Sequence, residues 1–230
     1  MAAGARERPG SWPVHPSRPP RRAILRPGSP HQTNHSHPLF EGVLSKTTVL
    51  VFHPRLTAGS RVNARLAQAA QAAGTPDAPV EVRDLYALYP DFRIDVEAEK
   101  AVLTAADRIV WQFPMYWYST PSLLKQWEDD VLEHGWAYGS TGTALHGKEL
   151  GVAVSPGAPS ERYDHGGAFR YTVTDLLRPL QATSNLIGTR FLQPFVTTGA
   201  MAISDADLEA QADAYTAWLT GEVPALGDFE

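Results

Sequence analysis

"TTVLVFHP" (47–54) and "RIVWQFP" (108–114) are short, almost unbroken apolar runs rich in β-branched residues, and each stops at a proline. A strand without polar alternation is buried on both faces, which a parallel sheet covered by helices provides. The segments between such runs have helical period. In "SRVNARLAQAAQAAG", Val62, Leu66, Ala69, Ala70 and Ala73 share one face, and Gly74 marks the stop. "PVEVRDLY" (79–86), "ELGVAVS" (149–155) and "TRFLQPFVTTG" (189–199) read as further strands, while 95–107, 168–186 and 204–220 read as helices. In "PSLLKQWEDDVLEH", Leu123, Leu124, Trp127, Val131 and Leu132 make one apolar face, with Thr120 the expected N-cap and Pro121 the first helical residue. Five strands alternating with helices predict an α/β, doubly wound parallel sheet over 46–230, with no repeat and no second domain.

Composition narrows the chemistry. The 230 residues include no cysteine, which excludes disulfides, thiol catalysis and Cys-based metal sites and suits a cytoplasmic protein. No apolar run approaches the ~18 residues that a membrane helix needs, so no membrane insertion is expected. The net charge of −5 is uneven: residues 1–46 carry six Arg and one Lys against Glu7 and Glu41, leaving the rest strongly acidic. A core of that sign argues against nucleic acid as a partner. Residues 1–45, rich in Pro, Arg, Ser and His, have too few apolar groups to offset ordering entropy and read as a disordered extension. Its histidines read as solvated, and no metal site is expected.

Open parallel sheets bind ligands beyond the carboxyl ends of their strands. Residues 53–63, 113–118 and 155–165 should therefore converge. In "HPRLTAGSRVN" the backbone N–H groups of Arg61, Val62 and Asn63 begin a helix, where a phosphate would be held with help from the Ser60 hydroxyl and the Asn63 amide. The plainer alternative is that Ser60 only caps the helix. Neither the G-x-G-x-x-G fingerprint nor a P-loop is present. Met115, Tyr116, Trp117 and Tyr118 are four successive large residues that cannot all point inward from one turn. Their flat surfaces suit a planar heteroaromatic ring, and the turn's N–H groups suit its polar edge. "SPGAPSERYDHGG" is a turn of small residues containing Tyr163 and His165, a pair able to manage a proton near such a ring; the alternative is a solvated loop. Trp136 and Tyr138 are expected either to wall the pocket or to make a subunit contact. Phosphate at one end and a planar ring at the other outline flavin mononucleotide.

"DLYALYPDF" (84–92), "IVWQFPMYWYSTPSLLKQWEDDVLEHGWAYG" (109–139), "GTALHGKEL" (142–150) and "LQPF" (192–195) resemble the flavodoxin-like NAD(P)H:quinone oxidoreductase family. Within it they are most similar to the ancillary oxidoreductase subunit of Kef-type glutathione-regulated potassium-efflux systems. The resemblance implies a three-layer αβα sandwich with strand order 2-1-3-4-5. It implies non-covalent FMN or FAD, with His53 and Ser60 to Asn63 near the phosphate. Met115 to Tyr118 and Ser155, Pro156, Gly157 and Ala158 would contact the ring, and Tyr163 would be catalytic with His165 as its partner. It further implies NAD(P)H as co-substrate, a quinone as acceptor, ping-pong turnover and a homodimer. An azo- or nitro-compound reductase is the same reading with another acceptor. The alternative from another class is a flavin-binding regulatory subunit held at the inner face of the membrane by a potassium-efflux partner. Two departures stand out: "SPGA" replaces the family's Thr-Thr-Gly-Gly, and Tyr116 replaces the glutamine of the quinone-reductase branch.

Overall fold

The computed structural model describes residues 46–227, and the expected extension over 1–45 lies outside them. The apolar runs form β1 (Thr47–Val51), β2 (Val80–Asp84), β3 (Arg108–Pro114) and β4 (Glu149–Ser155). The fifth expected strand is split into β5 (Arg190–Phe191) and β6 (Phe195–Val196), both parallel to β4. The sheet is parallel throughout these pairings, in the order β2-β1-β3-β4-β5. Pro194 causes the interruption, since it has no N–H for a ladder. Outside β5 the chain returns antiparallel: Gln193 N–H donates to Pro224 O at 2.8 Å, and Leu226 N–H donates to Phe191 O at 2.9 Å. Residues 224–226 thus cover the outer edge of the last strand.

Seven α-helices are described: α1 (Leu56–Gly59), α2 (Arg61–Ala73), α3 (Leu85–Leu88), α4 (Val96–Ala105), α5 (Ser122–Val131), α6 (Val173–Leu186) and α7 (Asp205–Thr220). Strand alternation sorts the core into two layers. Leu50, Phe52, Ile109, Trp111, Phe113 and Val152 pack with α4, α5 and α6. Val49, Val51, Val110 and Ala153 pack with α2 and α7 on the other face. Both faces of the central strands are therefore covered, as their unbroken apolar sequence requires.

Helix ends depart from expectation in instructive ways. Pro121, not Thr120, is the N-cap of α5, with φ −60° and ψ 152°. The ring of proline fixes φ at a value suited to either position, and ψ, which the ring leaves free, decides. Helix α5 stops at Val131, three residues short of the predicted end. Helix α6 begins only at Val173, where Thr172 and Asp175 make a reciprocal capping box.

Burial on α5 anchors the layer above β3. Leu123, Leu124, Trp127 and Val131 are fully buried, the three aliphatic side chains contributing about 1.5–3 kcal/mol each. Trp127 meets Trp111 edge-on with centroids 6.0 Å apart, and its Nε1–H donates to Glu99 Oε2 at 3.0 Å. Glu99 is wholly buried; Arg83 Nη2 at 2.5 Å and the Tyr89 hydroxyl at 2.7 Å also donate to it. At the opposite end of the sheet, buried Arg108 donates to Glu149 Oε2 at 2.6 Å and to the carbonyls of Trp218, Leu219 and Gly221. Those carbonyls end α7 and have no partner within the helix.

Candidate functional site

The carboxyl ends of β1, β3 and β4 bring the three expected segments together. Asn63, in the first turn of α2, donates from Nδ2 to Ser155 Oγ at 2.7 Å, joining the first segment to the third. Met115 N–H donates to Ser155 O at 3.2 Å, joining the second to the third. Beneath them runs a buried polar chain: the Tyr215 hydroxyl donates to Gln112 Oε1 at 3.1 Å, and Gln112 Nε2 donates to Asn63 O at 2.9 Å. A helix on one face is thereby tied through the central strand to the start of α2.

Ser60 does cap α2, accepting the Asn63 N–H at 3.1 Å. The Asn63 backbone donor is thus spent, which corrects its expected role at a phosphate. No described hydrogen bond engages the backbone N–H of Arg61 or Val62, and no acidic residue stands in this first turn. The Arg61 guanidinium donates to Ile203 O at 2.7 Å and pairs with Asp205. His53 accepts the Arg55 N–H on Nδ1 at 3.1 Å, so its ring proton sits on Nε2 as a donor. Burial first, and the charge of Arg55 second, hold the His53 pKa below the ordinary histidine value. Asn63 Oδ1 is buried without a hydrogen-bond partner among the described residues.

The aromatic turn is a tight hairpin. Tyr116 and Ser119 exchange both backbone bonds at 3.0 Å, and the two residues between them, Trp117 and Tyr118, have φ of 49° and 62°. Two successive positive φ values define the turn type normally filled by Asn-Gly. Bulky aromatics there carry backbone strain on the order of 1–3 kcal/mol each. With Met115 and Tyr116 N–H spent, the consecutive N–H groups of Trp117 and Tyr118 are the turn's unengaged donors. Trp117 is 92 % exposed, against 42 % and 43 % for Tyr116 and Tyr118.

Phe169, which the sequence reading missed, ties this turn to the third segment. Its ring lies edge-on to Tyr118 at 5.3 Å and to Tyr163 at 5.0 Å. Nothing in an isolated "AFRY" marks such a role. Burial first and neighbouring Tyr118 second raise the Tyr163 pKa, while the Ala158 backbone opposes them. His165 is engaged elsewhere: its Nε2 is 2.8 Å from Asp175 Oδ2, which also accepts from the Thr172 N–H and hydroxyl. Those Thr172 bonds, more than His165, hold the Asp175 carboxyl below its ordinary value. Tyr163 and His165 thus have different partners.

The small-residue turn after β4 is held by a fourth segment that the sequence did not indicate. The carbonyls of Pro156, Gly157 and Ala158 accept from Ala200, Met201 and Gly199. Tyr138 lines a groove between α5 and α6 together with Ser119 and Thr120. Trp136 instead lies under Lys100 of α4, 5.6 Å from Nζ to the ring centroid. The two expected pocket walls therefore face different neighbours.

Residues 45–219 match a family model described as having a flavodoxin-like fold. An uncharacterised NAD(P)H oxidoreductase, YrkL, of Bacillus subtilis (strain 168) is 49 % identical over 181 residues, which are 77 % of this chain and 99 % of that protein. The glutathione-regulated potassium-efflux system ancillary protein KefF of Klebsiella aerogenes is 50 % identical over 136 residues, 59 % of this chain and 76 % of KefF. General stress protein 14 of Treponema denticola, solved in complex with FMN, superposes with TM-score 0.68 at 39 % identity, covering 76 % of this chain and 97 % of that one. An NADPH-quinone reductase from P. pentosaceus superposes with TM-score 0.65 at 29 % identity, covering 77 % and 99 %.

Proposed function

Since the chain belongs to the flavodoxin-like family, we propose that it is an FMN-dependent oxidoreductase passing two electrons from NAD(P)H to a quinone. The observation that carries this reading is the strained turn. It presents the adjacent N–H groups of Trp117 and Tyr118 beside the Asn63–Ser155 bridge. The residues fit the cofactor: the N–H groups of Arg61 and Val62 suit its phosphate, and the orphaned Asn63 Oδ1 is a buried acceptor awaiting a donor. The Nε2–H of His53 adds a neutral donor at the same end of β1. When bound, the flavin would supply hydride chemistry, accepting from NAD(P)H and delivering to the quinone in alternating steps.

The chain's share is binding, orientation and proton control. The backbone N–H groups of Trp117 and Tyr118 would hold the polar edge of the ring. Tyr163 keeps its phenolic proton at neutral pH, as a phenol does, and burial pushes its pKa further up. It can therefore donate a hydrogen bond to a developing quinol oxygen. His165 steadies the same loop through Asp175 and serves as a positioning residue. The reading includes a homodimer in which the protruding Trp117 is covered, and a cytoplasmic location.

A second reading, a flavin-binding regulatory subunit docked on a potassium-efflux protein, is favoured by the likeness to KefF. One experiment separates the two. The purified protein is scanned for a flavin spectrum, then treated anaerobically with NADPH or NADH, and then with a quinone. Bleaching followed by recovery supports the oxidoreductase. A yellow protein that neither nucleotide bleaches supports the regulatory subunit, and a chain that takes up no FMN overturns both.

A further inference from the structure

Between α5 and α6 lies a groove of about 400 Å³ whose walls include Glu128, Leu132, Leu180, Leu186 and Ile187. Glu128 is only 9 % exposed, and it is short of partners. Its described hydrogen bond comes from Thr183 Oγ1 at 3.5 Å, the outer limit for such a contact. Thr183 has one hydroxyl proton, and the carbonyl of Pro179 is nearer at 3.3 Å. Lys125, one turn earlier on the same helix, is paired with Asp129 instead. The residues that α6 contributes to the groove are all uncharged. Burial pushes the Glu128 carboxyl up to about 7; Lys125 pulls it down, and Asp129 pushes it up.

A buried carboxylate with so weak a partner is costly, and the donors on the groove wall, Lys125 and the hydroxyls of Ser119, Thr120 and Tyr138, make no described hydrogen bond to it. We propose that this groove is a binding site for a small organic cation with an apolar body, its N–H groups seated on Glu128. The apolar body lies against Leu132, Leu180 and Ile187, replacing water that these side chains hold poorly. An amidinium or primary ammonium meets the carboxylate with charge-assisted hydrogen bonds, which a neutral amide of the same shape cannot equal. Binding selects the ionised carboxylate, so below neutral pH the cation expels a proton from Glu128. The site does not depend on the flavin reading.

The test is calorimetric titration of the full chain with benzamidine and with its neutral isostere benzamide. One molecule of benzamidine is expected to bind, about tenfold or more tighter than benzamide at about pH 8, a margin that shrinks at about pH 6. At the lower pH the heat should vary with buffer ionisation enthalpy in the sense of proton release. Glu128→Gln should abolish the preference for benzamidine. Equal binding of the two probes, no binding of benzamidine, or a preference that survives Glu128→Gln overturns the proposal. Should Glu128→Gln fail to fold, the buffer dependence of the unsubstituted protein decides on its own.

Discussion

The amide of Asn63 donates to the hydroxyl of Ser155 across 2.7 Å, bridging residues 92 positions apart in the chain. This bond sets the distance between the start of α2 and the end of β4, the two walls that would receive the phosphate and the ring. Asn63→Ala removes it and leaves Ser155 without its donor. FMN affinity measured by fluorescence titration should fall about tenfold, matching the ~1.5 kcal/mol of a buried hydrogen bond. Unchanged affinity would show that the bridge has no part in cofactor binding.

The turn at Trp117–Tyr118 holds strain that Asn-Gly would not. The double substitution Trp117→Asn, Tyr118→Gly relieves about 2–6 kcal/mol of strain and gives up the Tyr118–Phe169 contact, so the apoprotein's unfolding free energy, read from denaturant midpoints, should rise. Under the proposed function the same change should slow turnover, because it removes the aromatic surfaces that would flank the ring. A destabilised double variant would mean that the aromatic contacts outweigh the backbone cost.

Tyr163→Phe should keep flavin bound while lowering kcat by about a hundredfold, the scale of one positioned proton donor. The phenol, with its pKa pushed up from the ordinary value of 10, stays protonated as an ordinary tyrosine does, so the unsubstituted protein should lose no activity from its ionisation between about pH 6 and 8. His165→Ala leaves both Thr172 bonds to Asp175 in place. Its thermal midpoint should hardly move, and any loss should be smaller than that of Tyr163→Phe.

Glu128 links stability to pH. Its folded carboxyl keeps its proton up to about 7, whereas the ordinary value is 4.5. The folded state therefore binds more protons between these values, and stability falls as pH rises through them. Glu128→Gln should be near neutral around pH 5 and stabilising by roughly 2–3 kcal/mol around pH 8. Chemical denaturation at the two pH values checks this.

Arg108 is 1 % exposed and satisfies Glu149 together with three carbonyls at the end of α7. Arg108→Met removes the charge, the fork and every one of those donors. Glu149 keeps its pairing with Arg190, so the cost comes mainly from the unpaired carbonyls, and a loss of about 1–3 kcal/mol is expected in urea unfolding.

Legibility in the sequence followed burial. The unbroken apolar runs of β1 and β3 declared strands covered on both faces, and Leu123, Leu124, Trp127 and Val131 declared the inner face of α5. The split of the fifth strand was also written at Pro194, but only its pairing with residues 224–226 explains where the freed backbone groups go. The convergence of the three segments followed from topology. What each group is free to do did not: Ser60 takes the Asn63 N–H, and His165 takes Asp175 rather than Tyr163. Both outcomes depend on short-range geometry that residue types leave open. Phe169 and the 199–201 segment gave no signal at all, because their roles come from tertiary contact alone.

The two edges of the sheet are closed in different ways, and this constrains how copies of the chain can meet. One edge is occupied by the chain's own residues 224–226. At the other, β2 is half-buried and carries Glu81 and Arg83, with Lys46 paired to Glu81 at 2.9 Å. A neighbour adding a strand there would have to desolvate those charges. Growth by sheet extension is thus disfavoured at both ends, and association is left to the helical layers and the loops beyond the strands, where the exposed aromatic turn stands.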